Sequence, residues 1–261
     1  MRSSKLYAFS DLSTFKNLDL FSHGAVIDTN LLIAGAYELH HFHEDSFDLF
    51  ETLARFKIPL YTTVTVRTEY IDFFRRVRVT EALMDIYSNT KKFKLSKRVK
   101  EELKKHYAWI NLQSQKDLLP ALSNYRIKET KMIFDPIRHS GHLGWLEFCN
   151  EFLAGRILAS WEHVESELGV NYLQLRGNEA HATHLKKSLD WRDMYKVVEK
   201  TAVSSNDGML LNAFFSSHFQ VFLTADFDVA YAITVQNDPM KSCFVPDSLY
   251  KKLSKINFQL N

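Results

Sequence analysis

The sequence predicts an α/β protein: a mostly parallel sheet covered by helices on both faces, with a mainly helical segment inserted into it. Three observations carry this. Apolar runs at residues 25–27 and 219–223 each halt at short polar segments, Asp28-Thr29-Asn30 and Thr224-Ala225-Asp226, as buried parallel strands do at their tips. Helical periodicity surrounds both runs. From about residue 79 to 199 the chain is charged, rich in long side chains and helical in period, with no convincing strand inside it.

The elements follow in order. Ala25-Val26-Ile27 is the first expected strand. Phe47, Leu49, Phe50, Leu53, Ala54 and Phe56 recur at three- and four-residue spacings and predict a helix over 45–56. A second strand is expected at 57–62, with Pro59 tolerable near its beginning. The next helix carries Val66, Tyr70, Phe73, Phe74 and Val77 on one face. Pro120, Pro136, Gly141 and Gly144 punctuate the inserted segment, while Gly169 and Gly177 mark later helix ends. Ser204-Ser205-Asn206-Asp207 offers an N-cap to a helix bearing Met209, Leu210, Leu211, Phe214 and Phe215. The run at 219–223 is the next strand, and a short last one is expected at 243–245, stopped by Pro246. This is one domain over residues 1–261, with its core at 22–78 and 200–250 and the insertion at 79–199.

Composition bounds the function classes. With 46% apolar and 25% charged residues, 8 Gly and 5 Pro in 261, the chain is neither collagenous, low-complexity nor a disulfide scaffold. Cys149 and Cys243 lie far apart in no chelating spacing and read as reduced thiols. Charges break up the first twenty residues, and nowhere do about 18 apolar residues run together, so the expectation is a cytoplasmic protein with no membrane partner. The net charge of +2 is uninformative, but its distribution is not: residues 75–105 hold eleven Lys or Arg against four acids, +7, which leaves −5 for the rest.

In a right-handed parallel unit, strand C-termini and helix N-termini share one edge, and ligands bind there. Asp28 and Asp226 sit at strand tips, while Glu69 and Asp207 fall in the opening turns of helices. All four therefore belong to that edge. A helix N-terminus stabilises each carboxylate by about 0.3–1 kcal/mol, whereas two like charges about 4 Å apart repel by about 4 kcal/mol at an effective dielectric of about 20. Something must compensate. Raised pKa values are one answer; a hard divalent cation held by oxygen ligands, magnesium or manganese, is a better one.

Val26-Ile27-Asp28-Thr29-Asn30-Leu31-Leu32, Glu69 within Thr65-Val66-Arg67-Thr68-Glu69-Tyr70, Asn206-Asp207, and Leu223-Thr224-Ala225-Asp226-Phe227-Asp228 together resemble the PIN domain. The resemblance covers about 22–78 and 200–250, and the insertion departs from compact members of that family. It implies a Rossmann-like three-layer fold and a magnesium- or manganese-dependent nuclease, usually a ribonuclease. Carried over, Asp28, Glu69, Asp207 and Asp226 would be the catalytic metal-binding acids, with Asn30 and Thr224 as hydrogen-bonding support; Asp228 competes with Asp226 and would be an auxiliary ligand or a helix-capping residue. Asp72 lies one turn from Glu69 and competes for its place. The resemblance also extends to toxins, defence nucleases and RNA-processing enzymes, to a cognate inhibitor protein, and to a homodimer covering an exposed face.

Arg75, Arg76, Lys91, Lys92, Lys94, Lys97 and Arg98 are candidate RNA contacts, with Phe93, Tyr107 and Trp109 near enough in sequence to stack unpaired bases. A solvated helix face with Leu95, Val99 and Leu103 packed inward accounts for the same stretch equally well. The cluster His40-His41-Phe42-His43 suits transition metals, but it also fits a helix start and lacks a second ligand cluster. The pairs His139/His142 and His181/His184 read as surface or substrate-contact residues. Two rivals to the nuclease remain. One is a non-catalytic PIN-like module that holds RNA or protein. The other is a phosphatase of the haloacid-dehalogenase type, which needs an Asp where Asn30 stands.

Overall fold

The computed structural model describes residues 5–14, 18–89, 92–114, 121–173, 184–236 and 238–256. Among the described residues six strands form one all-parallel sheet: β1 (Lys5–Ala8), β2 (Ala25–Ile27), β3 (Leu60–Thr62), β4 (Val170–Tyr172), β5 (Val221–Leu223) and β6 (Ser242–Val245), in the order β1-β6-β5-β2-β3-β4. Every residue of β2, β5 and β6 is buried, so both faces of the sheet are covered at its centre. The protein is therefore α/β. The helices are α1 (Thr29–Ala36), α2 (His43–Arg55), α3 (Val64–Ser88), α4 (Lys97–Ser114), α5 (Asn124–Ile133), α6 (Trp145–Phe152), α7 (Arg156–Glu167), α8 (Trp191–Thr201), α9 (Ser205–Ser216), α10 (Phe227–Gln236) and α11 (Asp247–Leu253).

Connectivity fixes where a site can form. From β2 the chain crosses to β3 and on to β4 on one side, whereas from β5 it crosses to β6 on the other. Neighbouring strands whose connections depart in opposite directions make a topological switch point, and the crevice beyond their carboxyl ends is the usual ligand site. The register brings the two tips level: Val26 pairs with Phe222 and Ile27 with Leu223, and the Asp28 N–H donates to the Leu223 carbonyl at 3.3 Å.

Two compact units are present. The first comprises residues 1–70 and 163–261 and holds the whole sheet; the second is 71–162. The second unit is helical and has its own core, in which Leu83, Ile86, Leu103, Leu122 and Phe148 are fully buried. Thr80 accepts the Leu122 N–H there at 2.9 Å. Residues 71–162 contain 17 Lys or Arg against 11 Asp or Glu, +6, which leaves −4 for the first unit.

The structure corrects several sequence expectations. The segment 79–199 is not free of strands: Val170–Tyr172 pairs in parallel with β3. Nor is 25–27 the first strand, because Lys5–Ala8 pairs with β6. The strand expected at 57–62 begins only at Leu60, since Lys57 adopts a left-handed φ of 54° as α2 ends and the Ile58 N–H turns back to the Leu53 carbonyl. Gly169, with φ of 59°, follows α7, while Gly177 and Pro120 lie outside the described residues. Cys149 and Cys243 are free thiols. Among the described residues no helix is long and apolar enough to cross a membrane.

Candidate functional site

Asp28 follows β2 directly and caps α1, its Oδ1 accepting the Leu31 N–H at 2.9 Å. A carboxylate accepting an orphan N–H is locally favourable, yet this one is only 3% exposed. Burial pushes its pKa up to about 8, and the charges of Asp226 and Asp207 push in the same direction against the hydrogen bonds from Thr224 and Leu31.

Thr224 is the hinge between two acids. Its hydroxyl donates to Asp28 Oδ2 and accepts the Asp226 N–H at 2.9 Å. Asp226 Oδ2 accepts from the Asn30 side-chain amide at 2.7 Å, while its Oδ1 takes the N–H groups of Asp228 at 2.7 Å and Val229 at 3.2 Å where α10 starts. Asn30 and Thr224 thus tie the β2 and β5 tips together across the switch point.

Asp207 lies in the first turn of α9, whose N-cap is Ser204. The Ser204 hydroxyl accepts the Asp207 N–H at 3.2 Å and donates to its Oδ2 at 2.7 Å. Burial, followed by the charges of Asp226 and Glu69, raises its pKa despite Ser204. Glu69, in the second turn of α3, is clamped on both oxygens: Thr29 Oγ1 donates to Oε2 at 2.5 Å and Asn206 Nδ2 to Oε1 at 2.7 Å. The four acids therefore share a hydrogen-bonded, mutually repelling cluster formed by the first unit alone.

Asp72 is paired with Arg75 at 2.6 Å and Arg76 at 3.3 Å and accepts from Asn124. Asp228 is exposed, and its own N–H is spent on Asp226. Thr29 and Asn206 are site residues that sequence reasoning left without a role. Their only signal was adjacency to Asp28 and Asp207, which does not say that either reaches Glu69.

The carboxylates are turned toward protein donors, and among the described residues no three His, Cys, Asp or Glu side chains are gathered into a ready metal-binding group. The donor chemistry nevertheless suits a hard divalent ion: the acids and the side chains hydrogen-bonded to them offer carboxylate and hydroxyl oxygens with two amides, and among the described residues no thiol or imidazole is hydrogen-bonded to them, although the buried Cys243 thiol feels the Asp28 charge. Each carboxylate oxygen that accepts from Asn206, Asn30 or Thr224 keeps a further lone pair, so those partners could stay in place beside a cation.

The basic candidates lie in the second unit. Arg75 and Arg76 are committed to Asp72, and Arg76 also packs over the Phe73 ring. Lys92 approaches Glu151 at 3.9 Å, and Lys94 donates to the Ser140 carbonyl at 3.3 Å. Lys97 and Arg98 are exposed on α4, while Leu95, Val99 and Leu103 are buried beneath, so the packed-helix account holds for its inner face. Lys91 lies outside the described residues.

The histidine cluster opens α2. His40 stacks on His41, His43 Nδ1 contacts the Ala34 carbonyl at 2.8 Å, and burial drives the His40 pKa down to about 4. His139 and His142 bridge across a tight turn. His184 packs against Tyr61 and Phe219, whereas His181 lies outside the described residues.

Fold and site together define an α/β protein with a hydrogen-bonded cluster of four acids at its topological switch point. No family model, no curated protein and no solved structure matches this chain.

Proposed function

We propose that the chain is a PIN-like, magnesium- or manganese-dependent endoribonuclease whose site is Asp28, Glu69, Asp207 and Asp226. One observation carries the reading. Four carboxylates from four separate elements meet at the switch point closely enough for Asp28 and Asp207 to be pushed toward protonation, partly by the charges of the others. A merely structural cluster gains nothing from that cost; a site that takes up a cation does.

When bound, magnesium or manganese would neutralise the cluster, activate water and stabilise the oxygens of a phosphodiester under attack. The residues do the positioning. Asp28 anchors the floor of the pocket, held by Leu31 and Thr224; Asn30 and Thr224 fix Asp226; Ser204 fixes Asp207; and Thr29 with Asn206 fixes Glu69. Asp28 would surrender its proton as a cation enters. Because the first unit is net negative, general phosphate affinity falls to the exposed Lys97 and Arg98 of the second, with Lys92 and Lys94 only weakly engaged.

A second reading has its own observation. Each of the four acids already accepts a hydrogen bond from the protein, so the pocket is internally satisfied, as in a PIN-like module that binds RNA or protein without cutting. The experiment is hydrolysis of single-stranded and structured RNA, and of DNA, in manganese, magnesium or chelator, beside Asp28→Asn and Asp207→Asn. Metal-dependent cleavage lost in both variants supports the nuclease. Binding without cleavage supports the module, and cleavage undiminished in the variants refutes the assigned site.

A further inference from the structure

Residues of α1, α2, β3 and the end of α7 enclose a cavity of about 470 Å³, a size at which small molecules are bound. Every residue lining it belongs to the first unit, and none is among the four acids at the switch point. Its walls are largely apolar: Phe50, Leu53, Leu60 and Val164 are buried, while Phe47 on the same lining is 51% exposed. Phe50 sits where a Cβ at Gly35 would collide with its ring, so the close approach of α2 to α1 depends on that glycine and the wall is set by backbone packing.

Three polar side chains join that lining: Glu51 from α2, and His163 and Glu167 from α7. Among the described residues neither glutamate makes an ion pair. Glu51 also lines a neighbouring cavity of about 420 Å³ that holds Asp45, Asp48 and Asp247. Burial, followed by the charges of Asp247 and Asp48, raises the Asp45 pKa, so negative potential accumulates on this flank of α2. Arg55, near the end of the same helix, packs over the Phe56 ring and lines neither cavity. An apolar hollow flanked by carboxylates that no cation answers complements a ligand of matching pattern, an apolar body that ends in a positive charge. The same carboxylates repel an anion.

We propose that this cavity is a binding site for a small amphiphilic amine, whose alkyl or aryl body packs against Phe50, Leu53, Leu60 and Val164 and whose ammonium group is held by Glu51 and Glu167. The site shares no residue with the nuclease reading and stands or falls independently of it.

The probe is phenylbutylamine, with phenylbutanol and phenylbutyrate as its neutral and anionic counterparts. Each is titrated into the full chain and followed by methyl-resolved NMR. The amine should bind saturably, with a Kd of about 1 mM or tighter, and should shift the methyl signals of Leu53, Leu60 and Val164. Phenylbutanol should bind about 5-fold or more weakly, the factor one partly exposed ion pair supplies, and phenylbutyrate more weakly again. Glu51→Gln and Glu167→Gln should each cost the amine about 5-fold and leave the alcohol unchanged, and the double variant should bind amine and alcohol alike. Ala54→Trp, at an exposed position on the lining, should obstruct the cavity and abolish binding of all three while the melting temperature is retained. Equal binding of amine and alcohol by the unmodified protein, or amine binding indifferent to both glutamine variants, overturns the proposal. The absence of saturable amine binding overturns it as well. So do shifts confined to Leu49 and the neighbouring cavity, which would mean that the acids there take the amine without the apolar hollow.

Discussion

Asp28→Asn should stabilise the cation-free protein at alkaline pH and leave it nearly unchanged in mild acid. In the folded state the Asp28 pKa is raised from 3.8 to about 8. Between those values the folded protein binds more protons than the unfolded chain, so stability falls as pH rises from about 4 to about 8 and is level above that. A shift of about four units sets a ceiling of about 5 kcal/mol. Because effective dielectrics inside proteins are well above the dry value, about 2 kcal/mol is the expected gain in the asparagine variant at pH 8, or roughly 4–8 °C in melting temperature. Asparagine keeps an acceptor for the Leu31 N–H and is itself a good N-cap. The assay is thermal unfolding in EDTA from pH 5 to pH 9, read as the difference between the two proteins. That subtraction removes titrations common to both, including Lys241, whose lowered pKa makes stability rise with pH through its own window. A difference that stays flat from pH 5 to pH 8, or an asparagine variant less stable at pH 8, would refute the reasoning.

Three further outcomes follow from the same geometry. At pH 8, manganese at about a hundred times its dissociation constant should raise the stability of the unmodified protein by about 2.7 kcal/mol, and calorimetry in two buffers should register proton release from Asp28; Asp207→Asn, which removes one of the four acids, should lose most of both signals. Asn206→Ala and Thr29→Val each free one Glu69 oxygen, and each should weaken manganese affinity about 10-fold or more, as the loss of orienting partners does elsewhere; calorimetric affinities equal to the unmodified protein's would show that Glu69 needs no clamp. Lys241, 1% exposed, donates to the carbonyls of Phe214, Ser217 and Phe219 at 2.7, 3.0 and 2.5 Å, so Lys241→Met strands three buried acceptors and should cost about 3 kcal/mol or more in denaturant unfolding, with the acidic pocket's metal binding retained.

What the sequence revealed about the sheet depended on each strand's place in it. The central strands β2, β5 and β6 are covered on both faces; β2 and β5 are wholly apolar, and β6 is apolar after Ser242. The edge strands β1 and β4 are partly exposed, and Lys5-Leu6-Tyr7-Ala8 and Val170-Asn171-Tyr172 carry no comparable run. Three residues are also too few to set an alternation against helical neighbours. In the site, Asp28 and Asp226 were legible because a strand tip announces itself locally. The clamp on Glu69 was not, because Thr29 lies 40 residues from it and Asn206 lies 137 away. The same limit applies to the basic residues: nothing in the charge pattern says that Arg75 and Arg76 are spent on Asp72 while Lys97 and Arg98 are left exposed.

The pocket relieves its repulsion by three means, and their magnitudes differ. Helix N-termini receive Asp28, Asp207 and Asp226, for about 0.3–1 kcal/mol each. Hydrogen bonds from Thr29, Asn30, Ser204, Asn206 and Thr224 add roughly 1.5–3 kcal/mol apiece where the acceptor is ionised. These are large enough to hold the acids together, but not to keep them all charged, since the Asp28 pKa is still pushed up to about 8. Protonation carries the remainder. A proton is also the one element of this arrangement that a cation displaces without breaking the fold, so cation affinity should rise steeply as pH climbs toward the Asp28 value of about 8. Asn30 and Thr224, which hold Asp226 and Asp28 from the protein side, would persist as orienting partners while the proton leaves. On this argument the hydrogen-bonded web and the proposed metal centre are two protonation states of one pocket.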